Sequence, residues 1–238
     1  MRQHADGYID WRILVISFVV ALAYACATME GLSQREYDPP SGRGPIVILL
    51  SGHSGLDGYS SYAAEVAQLG YYAVLLNGNN FNPSRVAISG KDDLRHAIER
   101  AQRSPKALPG KTAIIGFSMG GGGALTHAAR MPDLVSAVVA YYPSTRGIFD
   151  MRSFVAQFQV PVLVLAGERD RYENCCLIGS MRAMEAAAKE GGAPFELVVY
   201  PNAGHAFNLE NSSAYRPADS TDAWQRTKKM LSQHQPLR

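Results

Sequence analysis

A three-layer α/β/α sandwich around a mostly parallel sheet, with no large cap domain, is the fold class this sequence predicts, and three observations predict it. Six near-continuous apolar runs, at 46–50, 72–76, 112–115, 135–141, 160–166 and 195–200, lack the polar alternation of a half-exposed sheet and read as buried parallel strands. Between them apolar residues recur at helical spacing: Tyr62, Val66 and Leu69; Leu94, Ala97, Ile98 and Ala101; Leu177, Met181, Met184 and Ala188. Only 18 residues separate Tyr142 from Pro161, which leaves no room for a large lid.

In chain order, the first feature is an apolar stretch at 13–25, preceded by Arg2 and Arg12 and ending in the small-x-small sequence Ala23-Tyr24-Ala25. It reads as a signal peptide or N-terminal membrane anchor over 1–27, followed by a linker at 28–43 and a single domain at 44–238. Cys26 adds the alternative of lipidation, although Ala23 stands where a bulky aliphatic is usual, and Asp6 and Asp10 dilute the basic flank. Thirteen to fifteen apolar residues are short for a span of about 20. Export is the expectation, to the periplasm, the medium or a membrane surface.

Within the domain, the first run leads into Ser51-Gly52-His53-Ser54-Gly55, and the second into Asn77, Asn79, Asn80 and Asn82, which either line a cleft or form turns. The third leads into Gly116-Phe117-Ser118-Met119-Gly120 and then a helix-compatible stretch at 120–130, where Leu125, Ala128 and Ala129 share a face. Glycines flanking a serine permit a tight strand-to-helix bend that raises the hydroxyl above the sheet and frees backbone N–H groups beside it. The run at 160–166 ends in Gly167-Glu168-Arg169-Asp170, and that at 195–200 in Pro201-Asn202-Ala203-Gly204-His205-Ala206-Phe207. A last helix at 220–232 can dock Trp224 and Leu231 on the sheet. Ser118, Asp170 and His205 thus all follow strand ends, which in an open α/β sheet form one rim.

The chain resembles the dienelactone hydrolase family of the α/β-hydrolase superfamily in 116–121, in 167–170, in Tyr200-Pro201-Asn202-Ala203-Gly204-His205-Ala206-Phe207 and in the stretch at 215–227, over roughly residues 44–232. Founding members carry cysteine as nucleophile, whereas position 118 is serine, so the resemblance carries the fold and not the dienelactone substrate. It implies a serine hydrolase of small esters or lactones. His205 takes the proton of Ser118, Asp170 orients the imidazole, and an acyl-enzyme is hydrolysed by water. The N–H of Met119 and that of His53, with Ser54 the second choice, are the expected oxyanion donors. Glu168 competes with Asp170 for the acid role, whereas His96 and His127 fall within helical patterns.

Composition agrees with one sizeable domain. Of 238 residues 47% are hydrophobic, and 23 basic against 21 acidic side chains give +2 without a basic stripe, which points away from nucleic acid. The adjacent Cys175 and Cys176 could join only in a strained vicinal disulfide and are expected to pack at the start of the helix after Asp170. No metal or organic cofactor is expected. Arg85, Arg146 and Arg171 fall in loops near the rim, where Arg85 or another could clamp a substrate carboxylate or simply be solvated. Peptidase or acyltransferase chemistry, or a catalytically silent binding protein, are the competing readings on the same fold.

Overall fold

Strands built only of Val, Ile, Leu and Ala have no polar face and need cover on both sides. In the computed structural model of the chain, which describes residues 32–82 and 88–237, a seven-stranded sheet runs in the order β1-β3-β2-β4-β5-β6-β7, and its five inner strands are the apolar, buried ones. The seven are β1 (Gln34–Tyr37), β2 (Ile46–Leu50), β3 (Tyr72–Leu76), β4 (Thr112–Phe117), β5 (Val135–Tyr141), β6 (Val162–Gly167) and β7 (Phe195–Tyr200). Six run parallel, and β1 alone pairs antiparallel, on the outer edge of β3. The leader at 1–27, Cys26 and Arg85 lie outside the described residues.

Some boundaries differ from expectation, two of them for a clear physical reason. The 28–43 stretch is not a linker throughout, because Gln34–Tyr37 enters the sheet; its side chains are exposed or only half-buried, so it carries no apolar signature. Strand β6 begins at Val162, since Pro161 has no N–H to place in a ladder, although its carbonyl accepts from Val138 at 2.9 Å.

The helices are α1 (Ser60–Gln68), α2 (Ile88–Gln102), α3 (Met119–Thr126), α4 (Met151–Val155), α5 (Ile178–Gly191) and α6 (Pro217–His234). Val47, Leu49, Ala73, Leu75, Ile115 and Val139, alternating along their strands, share one core with α1 and with Ala223, Met230 and Leu231 of α6. The intervening Ile46, Ile48, Leu50 and Ile114 are equally buried on the other face. Pro217 opens α6 with its φ already set, and Gly192 closes α5 in the left-handed conformation at φ 70°. A buried hydroxyl chain crosses the first core: Tyr62 to Tyr141 at 2.9 Å, and Tyr141 to Thr227 at 2.8 Å. Gln235, just past α6, donates to the carbonyls of Ile46 and Lys111 and accepts from Ser136, so the final helix is pinned to β2 and β5 and to the entry of β4.

Helix α3 contains four consecutive glycines, a poor helix-forming sequence that close packing requires. A Cβ on Gly120 would lie 2.3 Å from the Leu50 carbonyl oxygen, and one on Gly116 would lie 2.5 Å from that of Gly120. Gly120→Ala is therefore expected to lower the melting temperature sharply. Gly179→Ala in α5, where a Cβ meets nothing within 4 Å, should raise stability by about 0.5 kcal/mol.

His127, at the end of α3, is buried and packs against Gly90 of α2; burial, with Arg130 nearby, pushes its pKa down from 6.5 to about 4. The folded state keeps it neutral while the unfolded chain takes up a proton below pH 6.5. Its contribution is thus complete above 6.5 and is lost as pH falls towards 4, by about 3 kcal/mol. Denaturant midpoints measured from pH 7 to 4 should fall less steeply for His127→Gln than for the parent chain.

Candidate functional site

The site is assembled by three loops that leave the carboxyl ends of neighbouring strands. Phe117 pairs with Tyr141, Tyr141 with Leu165, and Gly167 with Tyr200, so the chain exits β4, β6 and β7 along one edge. After β4 the backbone turns within one residue: Ser118 sits at φ 50°, ψ −112°, and α3 starts at Met119. A non-glycine residue held there costs of order 1–3 kcal/mol, which the surroundings must offset. Ser118 N–H donates to the Tyr141 carbonyl at 3.0 Å, its own carbonyl accepts from Gly122 and Ser144, and Gly120 N–H donates to the Ser51 carbonyl at 3.1 Å.

The loops after β6 and β7 are laced together. Arg169 N–H donates to the Ala203 carbonyl at 2.9 Å and Glu168 N–H to that of Tyr200 at 3.0 Å. A Cβ on Gly167 would stand 2.4 Å from the Ala203 oxygen, so only glycine lets the two loops approach this closely. The result is a continuous hydrogen-bonded chain. Ser118 Oγ lies 3.0 Å from His205 Nε2, and His205 Nδ1 lies 2.8 Å from Asp170 Oδ2. The other Asp170 oxygen accepts from the Tyr172 N–H at 3.0 Å. Asp170 is 1% exposed and Ser118 5%, so a carboxylate removed from water is compensated by fixed donors.

Of the expected residues, Ser118, Asp170 and His205 are therefore brought together. Glu168 is turned outward in a salt bridge with Arg182 at 2.6 Å, and Asp170 is the carboxylate that meets His205. Met119 opens a helix, where the first N–H groups lack intrahelical acceptors. The His53 and Ser54 side chains are exposed in the loop after β2, and Gly52 stands beside Ser118: a Cβ there would be 3.4 Å from the Ser118 Cβ and 2.2 Å from the Tyr59 hydroxyl. Ser51 is buried and accepts from the Gly78 N–H at 3.1 Å, tying the β2 exit to the β3 exit. Of the arginines, Arg171 donates to the carbonyls of Glu168 and Asp170, and Arg146 to the carbonyl and carboxylate of Glu173, so both brace loops.

Folding gives several further residues partners that sequence spacing does not indicate. Asn79 grips the candidate oxyanion loop twice, donating to the His53 carbonyl at 3.0 Å and bonding the His53 ring at 3.1 Å, while Asn77 forms the turn by accepting from the Asn79 N–H. Tyr142, buried at φ 35°, contacts the His205 ring at 4.7 Å between centroids and donates to Asn208. Cys175 and Cys176 are joined as a disulfide at the start of α5, and their sulfurs lie within 4.8 Å of each other and of a His205 ring nitrogen. Sequence spacing places no histidine near this pair; folding does. As a disulfide the sulfurs offer a metal no thiolate.

Similarities to known proteins agree with this architecture. The chain is 32% identical over 148 residues to an Escherichia coli K12 protein named as a carboxymethylenebutenolidase, matching 60% of this chain and 53% of that one. It is 27% identical over 222 residues to a Bradyrhizobium protein named as a 2-oxo-3-(5-oxofuran-2-ylidene)propanoate lactonase, over 82% of this chain and 86% of the relative. The chain thus spans about half the length of the first relative and most of the second. Among solved structures, a Klebsiella pneumoniae protein named as a dienelactone hydrolase superposes with a TM-score of 0.70 at 23% identity, over 86% of this chain and all of that one. The family model for dienelactone hydrolases matches residues 81–235, and with the fold and the loop geometry in agreement, the chain belongs to the dienelactone hydrolase family.

Proposed function

We propose that the protein is a serine hydrolase that cleaves small carboxylic esters or lactones through an acyl-enzyme. The observation that carries this reading is the unbroken Ser118–His205–Asp170 hydrogen-bonded chain, set on a strained turn at the carboxyl edge of the sheet. The names of the two relatives favour ester and lactone bonds over amides.

His205 Nε2 accepts the Ser118 proton as Oγ adds to the substrate carbonyl. Asp170, bonded to Nδ1, fixes the tautomer that leaves Nε2 free to accept, and offsets the positive charge that forms on the ring. Oxygen charge in the tetrahedral intermediate falls to the N–H groups of Met119 and His53, the second held in place by Asn79. The proton then passes from Nε2 to the leaving alkoxide, or in a lactone to the ring oxygen, which stays tethered to the acyl group. Water repeats the sequence in reverse to release the acid and restore Ser118. No step calls on a metal.

The interval between β5 and β6 holds only the short helix α4, so the rim is left without a large cover and suits compact substrates. Export, with residues 1–27 as leader or anchor, remains part of the proposal. The Cys175–Cys176 disulfide supports it, because disulfides persist in oxidising compartments.

A fluorophosphonate probe is expected to label the protein stoichiometrically, and Ser118→Ala to abolish both labelling and p-nitrophenyl acetate hydrolysis while the circular dichroism spectrum is unchanged. A folded wild type that resists the probe would overturn the reading in favour of a silent binding protein. Asp170→Asn should lower kcat by about 10⁴-fold, because the amide favours the wrong imidazole tautomer. Asn79→Ala, which releases the His53 loop, should lower kcat about tenfold, less than outright loss of an oxyanion donor. Intact mass of the protein from its native host should show cleavage near Ala25 or Ala27, whereas a mass retaining Met1 rules out a cleaved leader.

A further inference from the structure

Tyr172 touches both partners of Ser118 in the hydrogen-bonded chain. Its N–H donates to Asp170 Oδ1 at 3.0 Å, and its ring lies almost parallel over the His205 imidazole, with centroids 4.5 Å apart and planes at 13°. The ring is not core: Tyr172 is 44% exposed, one of the few large hydrophobic residues left so open. The chain accepts unfavourable backbone to put it there. Glu173 and Asn174, the next two residues, have φ of 45° and 53°. That turn is braced from outside by Arg146 on the Glu173 carbonyl, by Thr145, whose N–H and hydroxyl both donate to the Cys175 carbonyl, and by the Cys175–Cys176 disulfide. Strain clustered beside one imidazole, with an exposed aromatic ring as its product, is an arrangement folding alone does not demand.

We propose that Tyr172 is a positioning residue for His205. Its ring holds the imidazole plane in line between Asp170 and Ser118, and its π face stabilises the imidazolium formed when Ser118 gives up its proton. This rests on the hydrolase reading of the same three residues. A cation is attracted to an aromatic face, and the neutral ring is not attracted in the same way. The benefit therefore arises as charge develops in the transition state and is absent when substrate merely binds, so it belongs to kcat and not to KM. Tyr142, the other ring against His205, is tilted by 60°, fully buried and fixed by its hydroxyl to Asn208, and serves packing.

The test compares Tyr172→Phe, which keeps the ring, with Tyr172→Leu, which keeps bulk and removes the π face; neither disturbs the backbone N–H bond to Asp170. With p-nitrophenyl acetate, Tyr172→Phe should remain within about twofold of wild type. Tyr172→Leu should lose about five- to thirtyfold in kcat with KM within about twofold. In NMR spectra, with His205 assigned by comparison with His205→Asn, its ring protons should be displaced upfield by the tyrosine ring current in wild type and Tyr172→Phe and not in Tyr172→Leu. The Nδ1 proton shared with Asp170 should be sharp in the first two and exchange-broadened in the third. Equal kcat in Tyr172→Leu, a change confined to KM, or a wild-type His205 without the ring-current displacement would each overturn the proposal. Should wild type hydrolyse no ester at all, the hydrolase reading falls on that result alone, and the spectra still decide whether Tyr172 orders the imidazole.

Discussion

Carbonyl oxygens crowd the point where β4 turns into α3, and the site depends on their finding no side chain in the way. The Ser51 carbonyl accepts from Gly120 N–H and also sits 1.8 Å from where a Cβ on Gly78 would stand. Gly116, Gly120 and Gly78 thus let three backbone segments, the exits of β2, β3 and β4, meet at van der Waals distance. That contact pins the start of α3 against the sheet and holds Ser118 in a conformation it would leave if free. The turn at Ser118 exists because its neighbours lack side chains, and the weak helix propensity of the glycines that open α3 is the cost of that arrangement.

Around this fixed point the rest of the site is built from loops tied to one another rather than to the core. Arg169 to Ala203 and Glu168 to Tyr200 join the acid loop to the histidine loop through backbone bonds, which no side-chain substitution removes directly. Asp170 is anchored by two donors, one from His205 and one from the backbone of Tyr172. The arrangement of Ser118, His205 and Asp170 is therefore held chiefly by main-chain bonds, with Tyr172 stacked on the imidazole and Asn79 bonded to the His53 loop.

The sheet was largely legible in the sequence because its inner strands are buried on both faces and leave near-continuous apolar runs; 46–50, 72–76 and 135–141 match the observed strands end to end, as does the half-buried edge strand at 195–200. Strand β1 was not legible, since Gln-Arg-Glu-Tyr has no apolar pattern and gains its place only from the open margin of β3. Glycine at 116 interrupts the apolar run after 115, yet β4 continues to Phe117 and Gly116 is a point of contact with Gly120. Ser118, Asp170 and His205 could be named from motif order, whereas Tyr172, Asn79 and the placement of Cys175 and Cys176 beside His205 are products of convergence. Nothing in a linear spacing encodes a ring stacked on another ring 33 residues away.

The attachment of Gln235 to Ile46 and Lys111 has a consequence for how the chain is made. Beyond β4 the sheet grows outward strand by strand, yet the face formed by Val47, Leu49, Ile115 and Val139 is closed only when Met230 and Leu231 return to it from α6. Helix α1 covers part of that face early in the sequence, whereas the bond from Gln235 to Ile46 spans a sequence separation of 189 residues. Such long-range closure slows folding. A chain in which that closure has not yet formed exposes apolar surface and is prone to aggregate.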